Sequence, residues 1–308
     1  MRILFMGTPE FAMHNLEAIH KTNNEIVGVV TTPDKPKGRG MVLTPSPVKA
    51  YATANGLKVY QPTTLKDGAF LDTLKELDPE LIIVVAYGKI LPEYVLNYPK
   101  YACINAHASI LPKYRGAAPI QRAIMDGDKK TGVSIMKMDI GLDTGDVILV
   151  KEVSIDENDD FEDVHDKLVT AGSEGLLEAI SLFSGGNATF KKQGDDFTYA
   201  EKITKADCLV DFNASLEAVH NKIRGLSPIP LAFTKLPDGK LLKITKAHKS
   251  NEKFSGVCGE VVSLDGGILV KCSDGTIVLD EIIPEGKGRM NANAFINGRK
   301  ISVGDILG

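Results

Sequence analysis

No run in this 308-residue chain approaches the roughly 18 uncharged apolar residues that a membrane-spanning helix needs. The spanning class of proteins is set aside on that ground. The first apolar stretch, Ile3 to Met6, breaks at Gly7-Thr8-Pro9, too short for a secretory signal and without its small-residue cleavage site. Nor is the start Arg-rich and acid-poor like an organelle transit sequence. The expectation is a cytoplasmic protein that begins at residue one and has no membrane partner.

Cysteine is scarce. The four present, at 103, 208, 258 and 272, form no C-x-x-C pair and stand at no metal-ligand spacing to a histidine, which argues against a disulfide framework or structural zinc and predicts reduced, mostly buried thiols. No metal is expected. Cys103 shares strand parity with His107, but four residues of extended chain separate the two by about 13 Å, too far for a thiol and its base. A dinucleotide fingerprint is missing too: the chain reads Gly7-Thr-Pro-Glu-Phe-Ala12, not G-x-G-x-x-G. Positive charge is short overall, with a formal net charge of -4, which speaks against a surface coated for nucleic acid. Its distribution is uneven: Lys and Arg number 21 against 27 Asp and Glu in residues 1–199, and 15 against 13 in residues 200–308. The C-terminal part is therefore the more favourable surface for a polyanion. Internal repeats and long low-complexity tracts are also missing.

What is present suits a globular enzyme. A 43% hydrophobic content over this length supports a sizeable core and about two domains. Ile- and Val-rich runs at Arg2 to Met6, Glu25 to Thr31, Leu81 to Ala86 and Ala102 to Asn105 are separated by stretches long enough for crossover helices. That alternation predicts an α/β fold, a Rossmann-like, mostly parallel sheet with helices on both faces. Val133 to Met138 and Val147 to Ile155 read as further strands, and Phe161 to Leu182 as a helix closed by Ser184-Gly-Gly-Asn187. Residues 1–188 are read as the catalytic domain and 189–207, polar and irregular, as a linker. Within 208–308 a helix is expected from Ser215 to Arg224. Strand-like runs then alternate with Pro237-Asp-Gly239, Asp265-Gly-Gly267 and Asp274-Gly275, which predicts antiparallel hairpins and a small OB-like β-barrel.

In such parallel sheets ligands sit at the carboxyl ends of the strands, where Gly7, Tyr87-Gly88 and Asn105-Ala-His107 all fall. Strand side chains alternate between faces, so Asn105 and His107 project the same way if the strand persists that far. An amide that can donate to a developing oxyanion then stands beside an imidazole that titrates near neutrality. Asp143, in Asp139-Ile-Gly-Leu-Asp-Thr-Gly-Asp146, adds a carboxylate to orient that ring. Together these are parts for moving an acyl or formyl group onto an amine. His14, His20, His165, His220 and His248 read as solvated or hydrogen-bonded residues.

The Asn-x-His pair at a strand end, followed in order by an Asp in an Asp-x-Gly loop, resembles the folate-dependent formyltransferases. The resemblance extends over essentially the whole chain. It includes Thr32-Pro-Asp-Lys-Pro-Lys-Gly-Arg-Gly40 with Pro45-Ser-Pro-Val-Lys49, Ala86-Tyr-Gly-Lys-Ile-Leu-Pro92, Tyr114 to Arg122 and Tyr199-Ala-Glu-Lys202. It is strongest toward members whose acceptor is the methionine carried by initiator tRNA, because members acting on glycinamide ribonucleotide resemble only the catalytic half.

This resemblance implies 10-formyltetrahydrofolate as co-substrate, methionyl-initiator tRNA as partner and no metal; a monomer is expected. It assigns catalysis to Asn105, His107 and Asp143. Folate binding would fall to Ile90, Leu91, Ser109, Ile110, Leu111 and Pro112, and tRNA contact to Lys35, Lys37 and Arg39, with residues 208–308 as the tRNA-binding barrel. Three cations in five residues can neutralise phosphates near the acceptor end, and Arg39 can also make bidentate contacts. Two departures stand out: Ser109-Ile-Leu-Pro112 has Ile where Leu is usual, a swap that conserves volume, and Pro228-Ile-Pro230 lacks an aromatic that many relatives carry there. His107 could serve as proton acceptor or as electrostatic stabiliser. Alternatives are formyl transfer to a small amine such as glycinamide ribonucleotide or an amino sugar nucleotide, hydrolysis of formylfolate by water, and an RNA-binding module without chemistry.

Overall fold

A computed structural model of the chain describes residues 1–37 and 41–308. Its strands, in chain order, are β1 (Arg2–Gly7), β2 (Glu25–Val30), β3 (Lys35–Lys37), β4 (Val42–Thr44), β5 (Val59–Tyr60), β6 (Leu81–Val85), β7 (Ala102–His107), β8 (Arg115–Gly116), β9 (Lys130–Lys137), β10 (Val147–Ser154), β11 (Tyr199–Ala200), β12 (Ala232–Lys235), β13 (Leu241–Lys249), β14 (Val261–Ser263), β15 (Ile268–Lys271), β16 (Thr276–Pro284) and β17 (Met290–Asn291). The helices are α1 (Glu10–His20), α2 (Pro47–Ala54), α3 (Phe70–Leu77), α4 (Glu93–Leu96), α5 (Pro119–Met125), α6 (Phe161–Ser184), α7 (Leu216–Gly225) and α8 (Ala292–Asn297). Two compact units emerge: residues 1–116, 131–153 and 166–199 form the first, and 117–130, 154–165 and 200–308 the second.

The first unit is built on a sheet in the order β10-β9-β7-β6-β1-β2-β5. Strands β7, β6, β1, β2 and β5 run parallel, and β9 turns antiparallel against β7. The expected mostly parallel sheet is thus observed. The middle strands are apolar throughout because both faces are covered. Leu4, Met6, Ile82 and Val84 join one cluster with Phe70, Leu74 and Leu77 of α3, while Ile3, Phe5, Leu81 and Ile83, of opposite parity, are also fully buried. From β1 the chain builds outward to β2 and β5, then returns to lay β6 and β7 on the other side. That reversal opens a crevice at the carboxyl ends of β1 and β6. Thr8 Oγ1 donates to the Tyr87 carbonyl at 3.0 Å and ties those two ends together. Gly7 is required there, since a Cβ would meet Ala12 Cβ at 2.7 Å and the Val85 carbonyl at 2.9 Å.

The second unit carries the antiparallel sheet β12-β13-β16-β15-β14, with β17 added against β16. Hairpins fall at the three Asp-Gly turns that the sequence marks, joining β12 to β13, β14 to β15 and β15 to β16. Register shifts along the β13–β16 pair bend these two long strands, and the sheet curls into a half-barrel. Ile244, Val270, Leu279 and Ile282 of this sheet are buried in one cluster with Val219 and Ile223 of α7. Ser215 starts α7 by accepting from the Ala218 amide at 3.2 Å, an N-cap that satisfies an otherwise orphaned donor. Among the described residues no helix is long and apolar enough to cross a membrane.

Candidate active site

Strand β7 persists through His107, so Asn105 and His107 share a face, and β6 supports them through the Val84–Asn105 pairing. Asn105 is half-buried and His107 is 6% exposed. Each imidazole nitrogen faces an oxygen. Nε2 lies 2.9 Å from the Tyr114 carbonyl, and Nδ1 lies 3.6 Å from Asp143 Oδ2. A doubly protonated ring donates toward both oxygens, whereas either neutral tautomer presents a lone pair to one of them. The Asp143 carboxylate is fixed in turn by the Gly116 amide, which donates to the same Oδ2 at 2.9 Å.

The backbone around this cluster is unusual. Ala86 (φ 44°), Tyr114 (φ 61°) and Asp143 (φ 53°) all occupy the left-handed region without being glycine, a conformation that costs about 1–2 kcal/mol for an ordinary residue and less for Asp. Such residues concentrate where surrounding structure holds them for a purpose. Gly145 closes the Asp143 loop back onto β9, and any Cβ there would sit 1.7 Å from the Lys137 carbonyl. That loop exposes Ile140 and Leu142, at 76% and 60%.

The six residues assigned to folate sit in different environments. Ser109 is fully buried, its hydroxyl donating to the Lys113 carbonyl at 2.6 Å, and its own carbonyl accepts from Ser134 at 2.7 Å. Leu111 is buried beside it, with Ile110 and Pro112 half-buried. Leu91 lies within the core cluster of the first unit, whereas Ile90 is 79% exposed. Tyr87, just before them, buries a hydroxyl with no partner among the described residues, and that burial pushes its pKa up to about 12.

Of the three cations assigned to tRNA, Lys35 is exposed on β3 and Lys37 ends the same strand. Arg39 lies outside the described residues. Strands β3 and β4 pair as an antiparallel ribbon that presents Met41, Val42 and Leu43 at 65–69% exposure. Its base is anchored: Lys49 Nζ and Gln61 Nε2 donate to the two Asp34 carboxylate oxygens at 2.6 and 2.8 Å. Those hydrogen bonds, Lys49 first, hold the Asp34 carboxyl below its ordinary range.

Sequence reasoning missed the frame around the histidine. Arg115 is 7% exposed; its guanidinium donates to Gln193 Oε1 at 3.0 and 2.8 Å and stacks 4.5 Å from the Phe197 ring centroid. Gln193 and Phe197 lie in the polar stretch read as linker, where an isolated Gln gave no signal. Cys103 is buried with its thiol toward Met138 Sδ at 3.8 Å, and burial raises its pKa, an inert core thiol. Among the described residues no group of three or more His, Cys, Asp or Glu is placed to hold a metal ion.

Residues 1–180 match the family described as formyl transferase, and residues 202–300 match the formyl transferase C-terminal domain. The chain belongs to the formyl transferase family. It is 44% identical over 310 residues to the methionyl-tRNA formyltransferase of Clostridioides difficile, and 45% identical over 309 residues to that of Caldanaerobacter subterraneus subsp. tengcongensis, with all of each chain covered. The fold is similar to that of an N-formyltransferase from Helicobacter canadensis solved with folinic acid and dTDP-3-aminofucose. That match has a TM-score of 0.68 and 21% identity, and covers 91% of this chain and 98% of that one.

Proposed function

We propose that the chain transfers the formyl group of 10-formyltetrahydrofolate to the α-amine of methionine esterified to initiator tRNA, acting in the cytoplasm as a monomer. The observation that carries the chemistry is the buried His107 ring, held between the Tyr114 carbonyl and the Asp143 carboxylate, on the same face of β7 as Asn105 two residues earlier. Full-length similarity to methionyl-tRNA formyltransferases supports the acceptor.

In this reading the amine attacks the formyl carbon, a C–N bond forms, and the carbonyl oxygen takes up negative charge. The Asn105 amide donates to that oxygen. His107 can donate Nε2–H to the Tyr114 carbonyl and still hold Nδ1 on the Asp143 side, so it can take the amine proton there or, once protonated, stabilise the oxyanion. Collapse of the intermediate breaks the bond to N10 of the folate. The amine loses one proton and N10 gains one, so the reaction needs a carrier between the two nitrogens, a role suited to the Asp143 carboxylate.

Folate would lie along 86–92 and 109–112, with exposed Ile90 offering an apolar surface to the pterin. Residues 1–188 form the catalytic domain in this proposal, 189–207 connect, and 208–308 bind tRNA. Lys35, Lys37 and Arg39 contact phosphates near the acceptor end. The deciding assay offers formylfolate with methionyl-tRNA, glycinamide ribonucleotide or an amino sugar nucleotide, and measures tetrahydrofolate release. Turnover confined to methionyl-tRNA is expected; turnover only with a small amine would overturn the acceptor. Lys35→Ala should reduce the slope of log affinity against log salt by about one, and an unchanged slope would remove the ribbon from the phosphate contacts.

A further inference from the structure

One short segment supports both oxygens that flank His107. Lys191 exchanges two backbone hydrogen bonds with Val147, at 2.8 and 2.9 Å, at the end of the Asp143 loop. Seven residues later Thr198 receives the Tyr114 amide on its hydroxyl at 2.9 Å and the Arg115 amide on its carbonyl at 2.9 Å. The strap thus grips the chain on either side of the imidazole.

Gln193 sits at its centre and uses both ends of its side chain. Nε2 donates to the Asp143 carbonyl at 2.8 Å and to the Gly145 carbonyl at 2.7 Å. Oε1 receives Nε and a terminal nitrogen of Arg115. Arg115 is itself held by Phe197 of the same strap, so a buried cation, a primary amide and two loop carbonyls close a single network. The loop carbonyl that Gln193 captures belongs to the left-handed residue whose carboxylate faces the ring. Only a primary amide fits: two carbonyls need two N–H donors, and the guanidinium needs an acceptor.

We propose that Gln193 is a positioning residue for the formyl-transfer centre, locking the Asp143 loop to Arg115 so that the carboxylate faces His107. It touches neither substrate nor reacting atoms and acts through Asp143. The proposal rests on the formyl-transfer reading, so its test includes a measurement that needs no substrate.

Two variants separate positioning from folding. Gln193→Ala removes both halves of the clamp. Gln193→Glu keeps the size and the Arg115 contact but presents oxygen to the two loop carbonyls, so the fold stays anchored while the loop is released. For each, kcat with methionyl-tRNA should fall roughly ten- to hundredfold, the range expected when a reacting group shifts by about 1 Å. KM for both substrates should stay within about threefold. In the substrate-free protein the imidazole NMR resonances of His107 should shift in both variants. In a cycle with Asp143→Ala, the Gln193 change should cost little further, because both act through one carboxylate. Unchanged His107 resonances, or a Gln193→Glu variant with wild-type kcat, would overturn the proposal. If wild-type protein transfers no formyl group while the resonances still shift, the positioning stands and the assigned reaction fails.

Discussion

Two buried histidines, one in each unit, sit in opposite surroundings. His107, 6% exposed, has an oxygen opposite each ring nitrogen. His220 on α7, 3% exposed, buries an Nδ1 with no partner among the described residues. Burial first, then the positive charges of Arg224 and Lys249, hold its pKa below the ordinary histidine value, against the opposing pull of Glu217 and Glu157. The first ring is flanked by oxygens on both sides, while the second sits where burial favours its neutral form. Burial by itself therefore does not mark a functional histidine; the acceptors around it do.

Substitution at the first site should give the largest effects. Asn105→Ala, which removes one oxyanion donor, should lower kcat by roughly a hundredfold or more, and His107→Asn by at least as much, with the folded state retained by circular dichroism. Near-normal turnover in either would erase the contrast. His220→Gln, by comparison, should leave kcat within about twofold; a hundredfold loss there would make the second histidine functional too.

Stability against pH sharpens the contrast within the second unit. Asp207 is held down to about 2, first by the Thr204 hydroxyl, then by the Thr204 amide and Arg122. The folded value lies below the unfolded one, so this stabilisation is present above about pH 4 and is lost as pH falls toward 2. Asp207→Asn should lower the thermal midpoint at pH 7 by about 2–4 °C, and the gap to wild type should close on acidification. A gap that persists at pH 2 would deny the carboxylate its role.

The smallest effect belongs to His220. Because its folded value is depressed, the unfolded chain binds the proton first as pH drops below about 6.5, and stability falls with it. Above that pH the group contributes nothing of this kind. In urea unfolding at pH 7 and pH 5.5, His220→Gln should lose less stability than wild type. Equal losses would show that this ring is not the acid-sensitive one.

Much of the first unit was legible because its signals are local. Continuous apolar runs mark strands covered on both faces, and Asn105 and His107, two apart, need only a persistent strand to share a side. The hairpins of the second unit were equally legible, since Asp-Gly turns carry their own backbone preference. Gln193 and Arg115 were not legible: they stand 78 residues apart, and nothing near either residue announces the partner. The ribbon of β3 and β4 was not legible either, because three-residue strands leave no periodicity.

By itself, the order of residues determined the long strands of both sheets, the helices α6 and α7, the Asp-Gly turns and which side chains share the face of β7, because those depend on the alternation of neighbours along the chain. Tertiary structure alone decided that residues 117–130 and 154–165 pack with the C-terminal part, that a left-handed Asp143 turns its carboxylate toward a buried ring, and that a distant glutamine holds it there. Those arrangements rest on hydrogen bonds between segments far apart in sequence, and their energies exist only once the chain has closed the intervening loops.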